Sequence, residues 1–281
     1  MIHSIENSTY RVSASETGAE LCSFIDKRDG HEYIWQGNSV WNGHSPLLFP
    51  IVGKLRDDIY TLGGAEYVMP KHGFAKRSAF ALESHSAEEM TFLLTDSDAT
   101  RANYPFSFEL RVSYRFTEKG FIMEHRVKNT GDGTMYFSIG AHPGFNCDMG
   151  DKLVMDLPET AGAYQFNAEF LRKKETLPVF DNSTDFEITP TVFDNDALVF
   201  DDLCSPGCTL VRANGRNVHV DFGGAPCLGI WAKPAQPYVC IEPWYGIDDI
   251  CDADHDIARK HRICALNSGE EFVFPVTIQE V

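Results

Sequence analysis

Phe106-Ser107-Phe108-Glu109-Leu110-Arg111-Val112-Ser113-Tyr114-Arg115-Phe116 sets an apolar side chain on every second residue, with a polar one between each pair. A period of two sends one set to a core and the other to solvent or a second layer, the signature of a β-strand. The stretch runs into Thr117-Glu118-Lys119-Gly120, a turn-like cluster, and an apolar-rich run from Gly120 to Asn129 follows. The pair predicts a β-hairpin. Further short strand-like runs lie on either side: Ala19 to Ile25, Met90 to Leu94, Thr134 to Ile139, Leu153 to Leu157, Thr209 to Val211, Asn217 to Phe222, Leu228 to Trp231, Tyr238 to Ile241 and Glu271 to Ile278. Helical signals are confined to single turns at Ala99 to Asn103 and Asp254 to His261. Many short strands punctuated by Gly, Pro, Asn and Asp predict an all-β sandwich or barrel. No repeat or linker divides the chain, so residues 1–281 are expected to form a single domain. The stretch from Glu159 to Asn195 is expected to be a long loop excursion over the surface.

The 281 residues, 43% of them hydrophobic, suffice for a sizeable core. With 24 basic and 41 acidic residues the net charge is −17. Such a surface repels polyanions, which argues against nucleic acid and anionic membranes as partners. No apolar run approaches the roughly 20 residues needed to span a bilayer. The start of the chain, Met1-Ile2-His3-Ser4-Ile5-Glu6-Asn7, lacks the basic-then-apolar pattern of a signal peptide, so a soluble, cytoplasmic protein is expected. Eight cysteines scattered without a compact framework are expected to be mostly buried, reduced thiols.

P-loop, dinucleotide-binding and nucleophile-elbow signatures are absent. Asp252-Ala253-Asp254-His255-Asp256 starts like a calcium loop but has Ile257 where Gly is needed and Ile263 where Glu is needed. Cys251, His255, His261 and Cys264 fit no common zinc spacing. The plainer reading there is an exposed charged segment.

Three segments carry more chemistry. Lys71-His72-Gly73-Phe74-Ala75-Lys76-Arg77 sets a histidine among cations between strand-like runs. In Ile139-Gly140-Ala141-His142-Pro143-Gly144-Phe145-Asn146 a histidine follows an apolar strand and is bracketed by small and rigid residues, which let backbone approach a ligand closely. In Tyr238-Val239-Cys240-Ile241-Glu242-Pro243-Trp244-Tyr245-Gly246 a carboxylate ends a buried-looking strand beside two aromatic rings. Burial there would raise the Glu242 pKa from about 4.3 towards neutrality and make it a competent general base. Trp244 offers a platform for the apolar face of a sugar. The plainer alternatives are a turn histidine at 72, a strand-capping histidine at 142 and a structural Glu242 paired with an arginine.

Together these segments resemble the aldose 1-epimerase (galactose mutarotase) family, most closely its LacX-like branch. HGFAKRSAF (72–80), IGAHPGFN (139–146), FDNDALVF (193–200) and LGIWAKP with YVCIEPWYG (228–246) occur in the family's order. PLLFPIVGK (46–54) and YTLGG (60–64) look like its N-terminal substrate-binding stretch. The resemblance covers nearly the whole chain. It implies a large antiparallel β-sandwich that binds a sugar in an open cleft and interconverts its anomers without metal or cofactor. It further implies that Glu242 is the base, His142 the acid, His72 an assisting histidine and Asp196 a ligand of sugar hydroxyls. The family's substrate-binding arginine falls by spacing on Lys54, with Arg56 nearby. A lysine there offers a point charge in place of a fixed fork.

That chemistry suits the residue types. Hemiacetal opening needs a base on the anomeric hydroxyl and an acid on the ring oxygen, and an imidazole with an ordinary pKa near 6.5 supplies either form. The expected partner is therefore a small sugar, an aldohexose or its phosphate, bound by a monomer or homodimer. The alternatives are a hexose-6-phosphate 1-epimerase, for which Lys54, Arg56, Lys71, Lys76 and Arg77 are candidate phosphate ligands, and a non-catalytic carbohydrate-binding protein. A glycoside hydrolase would need a second, opposed carboxylate, and nothing marks Asp248 or Asp249 for that role.

Overall fold

The computed structural model describes residues 1–281 and is built almost wholly of antiparallel strands. The hairpin that opens the sequence argument forms as expected, with Phe108–Phe116 paired to Gly120–Asn129. Phe108, Leu110, Val112 and Tyr114 are buried on one face, while Phe121, Met123 and Val127 of the partner strand share that face. The turn expected at Ala99 to Asn103 is a short helix over Asp98–Arg101, capped by Ser97, whose hydroxyl accepts the Thr100 N–H. The one near Asp254 to His261 shrinks to a 3-10 turn over Ile257–Arg259.

This hairpin lies within a nine-stranded sheet ordered Ser183–Glu187, Lys152–Glu159, Gly207–Val211, Val218–Asp221, Glu271–Glu280, Gly120–Asn129, Phe108–Phe116, Glu89–Thr95 and Ala81–His85. Two smaller sheets face it: an N-terminal one of Ile2–Glu6, Tyr10–Ser15, Leu21–Asp26 and His31–Glu32, and a second built on Tyr238–Tyr245. The core between them contains 59 buried residues, with contacts such as Phe24 on Phe121 (5.0 Å) and Tyr245 on Phe274 (5.1 Å). This is the sandwich arrangement, in which each strand's inward set fills a shared interior. All eight cysteine thiols are free. No helix is long and apolar enough to cross a membrane.

One expectation needs correcting. Residues 159–195 do not form a structureless excursion: Gly162–Phe166 and Arg172–Pro178 make a hairpin, and Ser183–Glu187 adds an edge strand to the large sheet. The polar run Arg172-Lys173-Lys174-Glu175 has no alternation because most of it faces solvent. Backbone pairing makes it a strand, and pairing is invisible to hydrophobic periodicity.

Candidate active site

Tyr238–Tyr245 is the central strand of the second sheet and is buried along nearly its whole length. On one side it pairs with Cys227–Trp231, which sets Glu242 opposite Gly229. On the other side it pairs with two fragments, Ile139–Gly140 and Gly144–Asn146, that keep one common register. The ladder opens between them, over Ala141-His142-Pro143, where Pro143 has no N–H to give. The Pro143 carbonyl accepts from Ile241 N (3.1 Å) and the Pro243 carbonyl from Ala141 N (3.1 Å), so the gap stays tied. That register carries His142 directly across from Glu242. Glu242 therefore does not end its strand: pairing continues through Pro243 to Tyr245.

His142 Nε2 lies 3.2 Å from Glu242 Oε2, and both residues are buried. They sit in a cavity of about 330 Å³. Trp41, Trp231 and Trp244 wall it, Phe166 and Phe170 from the 162–178 hairpin close another side, and Asp196 and Asp248 add carboxylates. The Trp244 indole fits because two neighbours lack side chains. A Cβ on Gly140 would lie 2.5 Å from its Cδ1, and one on Gly229 2.7 Å from its Cζ2. This gives the first glycine of IGAHPGF and the glycine of LGIW a shared structural role.

His72 enters from the Lys71–Arg77 segment with a left-handed backbone, φ 65°. That is an uncommon conformation for a non-glycine residue, and such conformations cluster at functional sites. The Gly53 N–H donates to His72 Nδ1 at 3.1 Å. An accepting Nδ1 places the ring proton on Nε2, so His72 is a neutral donor. Its ring centroid is 6.1 Å from that of His142.

Burial dominates the electrostatics. It pushes Glu242 well above the usual carboxylate range, opposed by the nearby Lys71 cation and reinforced by Asp196 and Asp248. It pulls His142 down to about 3, helped by Lys76 and Lys71. It holds His72 well below its ordinary value, again with Lys71 and Lys76 contributing. Lys76 itself falls to about 8, through burial and then Arg77 and Lys71. A buried carboxyl and imidazole this close are each driven toward the uncharged form and titrate as a coupled pair.

Glu242, His142, His72, Asp196 and Trp244 all line this cavity, but Lys54 and Arg56 do not. The Lys54 ammonium is held by Asp58, while its backbone N–H donates to Asp248 Oδ1 at 2.7 Å. Arg56 Nη1 donates to the Ala253 carbonyl at 2.8 Å, which ties the guanidinium to the acidic 248–256 loop. The cations that reach the cavity are Lys71, Lys76 and Lys233. Glu242 has His142 beside it where an arginine would mark a structural role. Trp41, Trp231, Phe166, Phe170 and Lys233 escaped sequence reasoning. Only LGIWAKP, which contains Trp231 and Lys233, held a signal for any of them.

One group has the proximity for a metal ion: donor atoms of His142, Cys240 and Glu242 lie within 4.8 Å of one another. Metals bind deprotonated donors. Burial pushes the Cys240 thiol well above its ordinary value and Glu242 toward its acid form, which opposes metal capture. The zinc quartet weighed from sequence is dispersed, with His255 Nε2 on Asp57 (3.0 Å) and His261 Nε2 on Asp201 (2.7 Å).

Sheets of this order around an aromatic, acid–base cavity define a galactose mutarotase-like fold. A solved galactose mutarotase related enzyme from Lactobacillus acidophilus superposes with a TM-score of 0.94 at 34% identity, covering 100% of this chain and 97% of that one. A galactose mutarotase-like protein from Lactobacillus casei does so with a TM-score of 0.92 at 26% identity, covering 99% of each. The Aldose 1-epimerase family profile matches residues 1–279. The chromosomal protein LacX of Lactococcus lactis subsp. lactis is 32% identical over 92% of both chains. The chain belongs to the aldose 1-epimerase family.

Proposed function

We propose that this protein is a cytoplasmic isomerase that interconverts the α and β anomers of an aldohexose by acid–base opening of the ring. The Glu242 carboxylate takes the anomeric hydroxyl proton, the C1–O1 bond gains double-bond character, the bond from C1 to the ring oxygen breaks, and His142 protonates that oxygen. Rotation about C1–C2 presents the other face of the aldehyde, and the transfers run backwards. The His72 Nε2–H hydrogen-bonds the ring oxygen and shares its developing charge. Asp196 holds hydroxyls, and Trp244 packs on the apolar face of the ring.

The observation that carries this reading is the buried Glu242–His142 pair, 3.2 Å apart inside an aromatic cavity. Ring opening moves one proton from His142 to Glu242 by way of the sugar and leaves the pair uncharged. No electron or group leaves the pair, so no cofactor is needed. Polarimetry or NMR on freshly dissolved α-hexoses is the test. Wild-type protein should speed equilibration, and folded Glu242→Ala or His142→Ala should lose most of that acceleration. Sugar binding without acceleration by the wild type would leave a carbohydrate-binding protein instead.

A further inference from the structure

Six acidic residues are buried: Asp26, Asp151, Glu159, Glu242, Asp248 and Asp249. A buried carboxylate is costly unless its oxygens are hydrogen-bonded or paired. In four of the six both oxygens are served. Arg28 spans the two oxygens of Asp26. The Ala213 and Asp148 N–H groups donate to Asp151, and those of Ser205 and Cys204 to Glu159. Lys260 and the Arg56 N–H take the two oxygens of Asp249. The exceptions are Glu242, whose Oε2 meets His142, and Asp248, whose Oδ1 accepts the Lys54 N–H at 2.7 Å. Each keeps one oxygen without a partner in the protein, and both side chains line the same cavity. The open oxygen of Glu242 has the anomeric proton to take. That of Asp248 has no role in the reaction as written above.

Asp248 is held firmly on both sides. The Asp249 N–H donates to the Lys54 carbonyl at 2.8 Å, and Lys260 Nζ donates to the Ile247 carbonyl at 2.6 Å. Its carboxyl group lies against Gly53, where an added Cβ would fall 2.6 Å from Oδ2 and where φ is 72°, so the position is made for glycine. The same Gly53 grips His72 twice, by its N–H on Nδ1 and by its carbonyl, which accepts the His72 N–H at 2.9 Å. Successive N–H groups of Gly53 and Lys54 therefore fix His72 and Asp248 as neighbours in the cavity wall. Burial holds the Asp248 carboxyl above its ordinary range, and a donor on Oδ2 would favour the ionised form. We infer that Asp248 is a further substrate ligand, whose Oδ2 accepts a hydrogen bond from one hydroxyl of the bound aldohexose, in addition to those held by Asp196. A neutral hydroxyl brings the missing donor without a second charge, and a carboxylate makes that bond a strong one. The inference rests on the anomerase reading for the identity of the ligand, and on the open oxygen for its place.

The test pairs a lost hydroxyl with a lost acceptor. Asp248→Asn keeps the size of the side chain and an oxygen for the Lys54 N–H, but turns an amide NH2 toward the sugar. Anomerisation of glucose, galactose and their 2-, 3-, 4- and 6-deoxy forms is followed by NMR exchange in wild type and variant. Wild type should prefer the parent over one deoxy form by about 10–10²-fold in kcat/KM through this contact, the worth of a hydrogen bond to a charged group. In Asp248→Asn the preference at that one position should shrink about tenfold or more, while those at the other positions hold. A variant that slows every sugar equally, as a merely structural carboxylate would, or that changes nothing, overturns the inference and leaves the anomerase reading intact. Crystals of Glu242→Gln soaked with galactose answer the same question if Asp248→Asn does not fold. A sugar oxygen should lie about 2.6–3.0 Å from Asp248 Oδ2, and a bound sugar with none within about 3.5 Å overturns the inference. Calorimetric titration separates the two readings. If wild type equilibrates no hexose but Asp248→Asn still loses the preference in Kd, the anomerase reading falls and the ligand stands; a wild type that binds no hexose removes both.

Discussion

His142 and Glu242 occupy facing positions on neighbouring antiparallel strands, and the ladder is interrupted only where His142 stands. A hundred residues separate them in the chain, but one shared register brings their side chains together on the same face. Removing either member strands the other, so their contributions cannot be independent. Glu242→Gln and His142→Asn should each lower kcat/KM by about 10²–10⁴, the usual worth of a placed acid or base. The double variant should be no worse than the poorer single one. Steady-state kinetics on the three folded variants checks this, and multiplicative losses would show two separately acting groups.

The pH profile follows from the same pair. Burial raises Glu242 and lowers His142 to about 3. The first proton is therefore bound well above the ordinary carboxylate range, and the second well below the ordinary imidazole range. The singly protonated pair spans the interval between. A neutral aldose does not titrate there, so kcat/KM, which reports the free enzyme, should show its acid limb well below 6.5 and an alkaline limb where the pair loses its one proton. An acid limb centred at 6.5 would mean that His142 behaves as a solvent-exposed imidazole, contrary to the buried site described here.

His72 should behave differently. Its Nδ1 is occupied by the Gly53 N–H, and it stays neutral, so it gives a hydrogen bond without giving up a proton. His72→Ala should cost on the order of 10²-fold in kcat/KM, the scale of one lost donor on a developing charge. The loss should be spread over KM and kcat, and the shape of the pH profile should be retained. Kinetics across pH separates this from a proton-transfer role, for which the profile itself would change.

Much of this was legible in the sequence, for a physical reason. Strict alternation from Phe108 to Tyr114 reflects one buried face, and the short motifs holding His72, His142 and Glu242 keep the residues their backbone demands. What stayed hidden depends on pairing between distant segments. Arg172–Pro178 is a strand by hydrogen bonding alone, so the hairpin bringing Phe166 and Phe170 to the cavity read as loop. Trp41 lies in a segment without periodicity and reaches the site by stacking on Tyr238, with centroids 4.8 Å apart. Spacing put Lys54 and Arg56 forward, but charge pairing decides which cations stay free, and Asp58 removes Lys54.

Trp244 supplies the last prediction. Its indole is clamped between Gly140 and Gly229, where an added Cβ would meet ring carbons at 2.5 and 2.7 Å, well inside contact distance. Neither glycine has a positive φ, so alanine is tolerated by the backbone; at Gly229 the conflict is with the ring, whereas at Gly140 Leu48 Cδ1 is also met at 3.2 Å. Gly229→Ala must then push the indole aside or spread the strands, an overpacking worth about 1–3 kcal/mol. Thermal unfolding should show a Tm lowered by roughly 2–10 °C. The atoms met at Gly229 belong to the six-membered part of the indole, which phenylalanine would not extend to the same place. Adding Trp244→Phe to Gly229→Ala should therefore recover part of the lost Tm, even though Trp244→Phe alone opens space and destabilises. A double variant less stable than Gly229→Ala would show that the glycine is needed for something other than room for the ring.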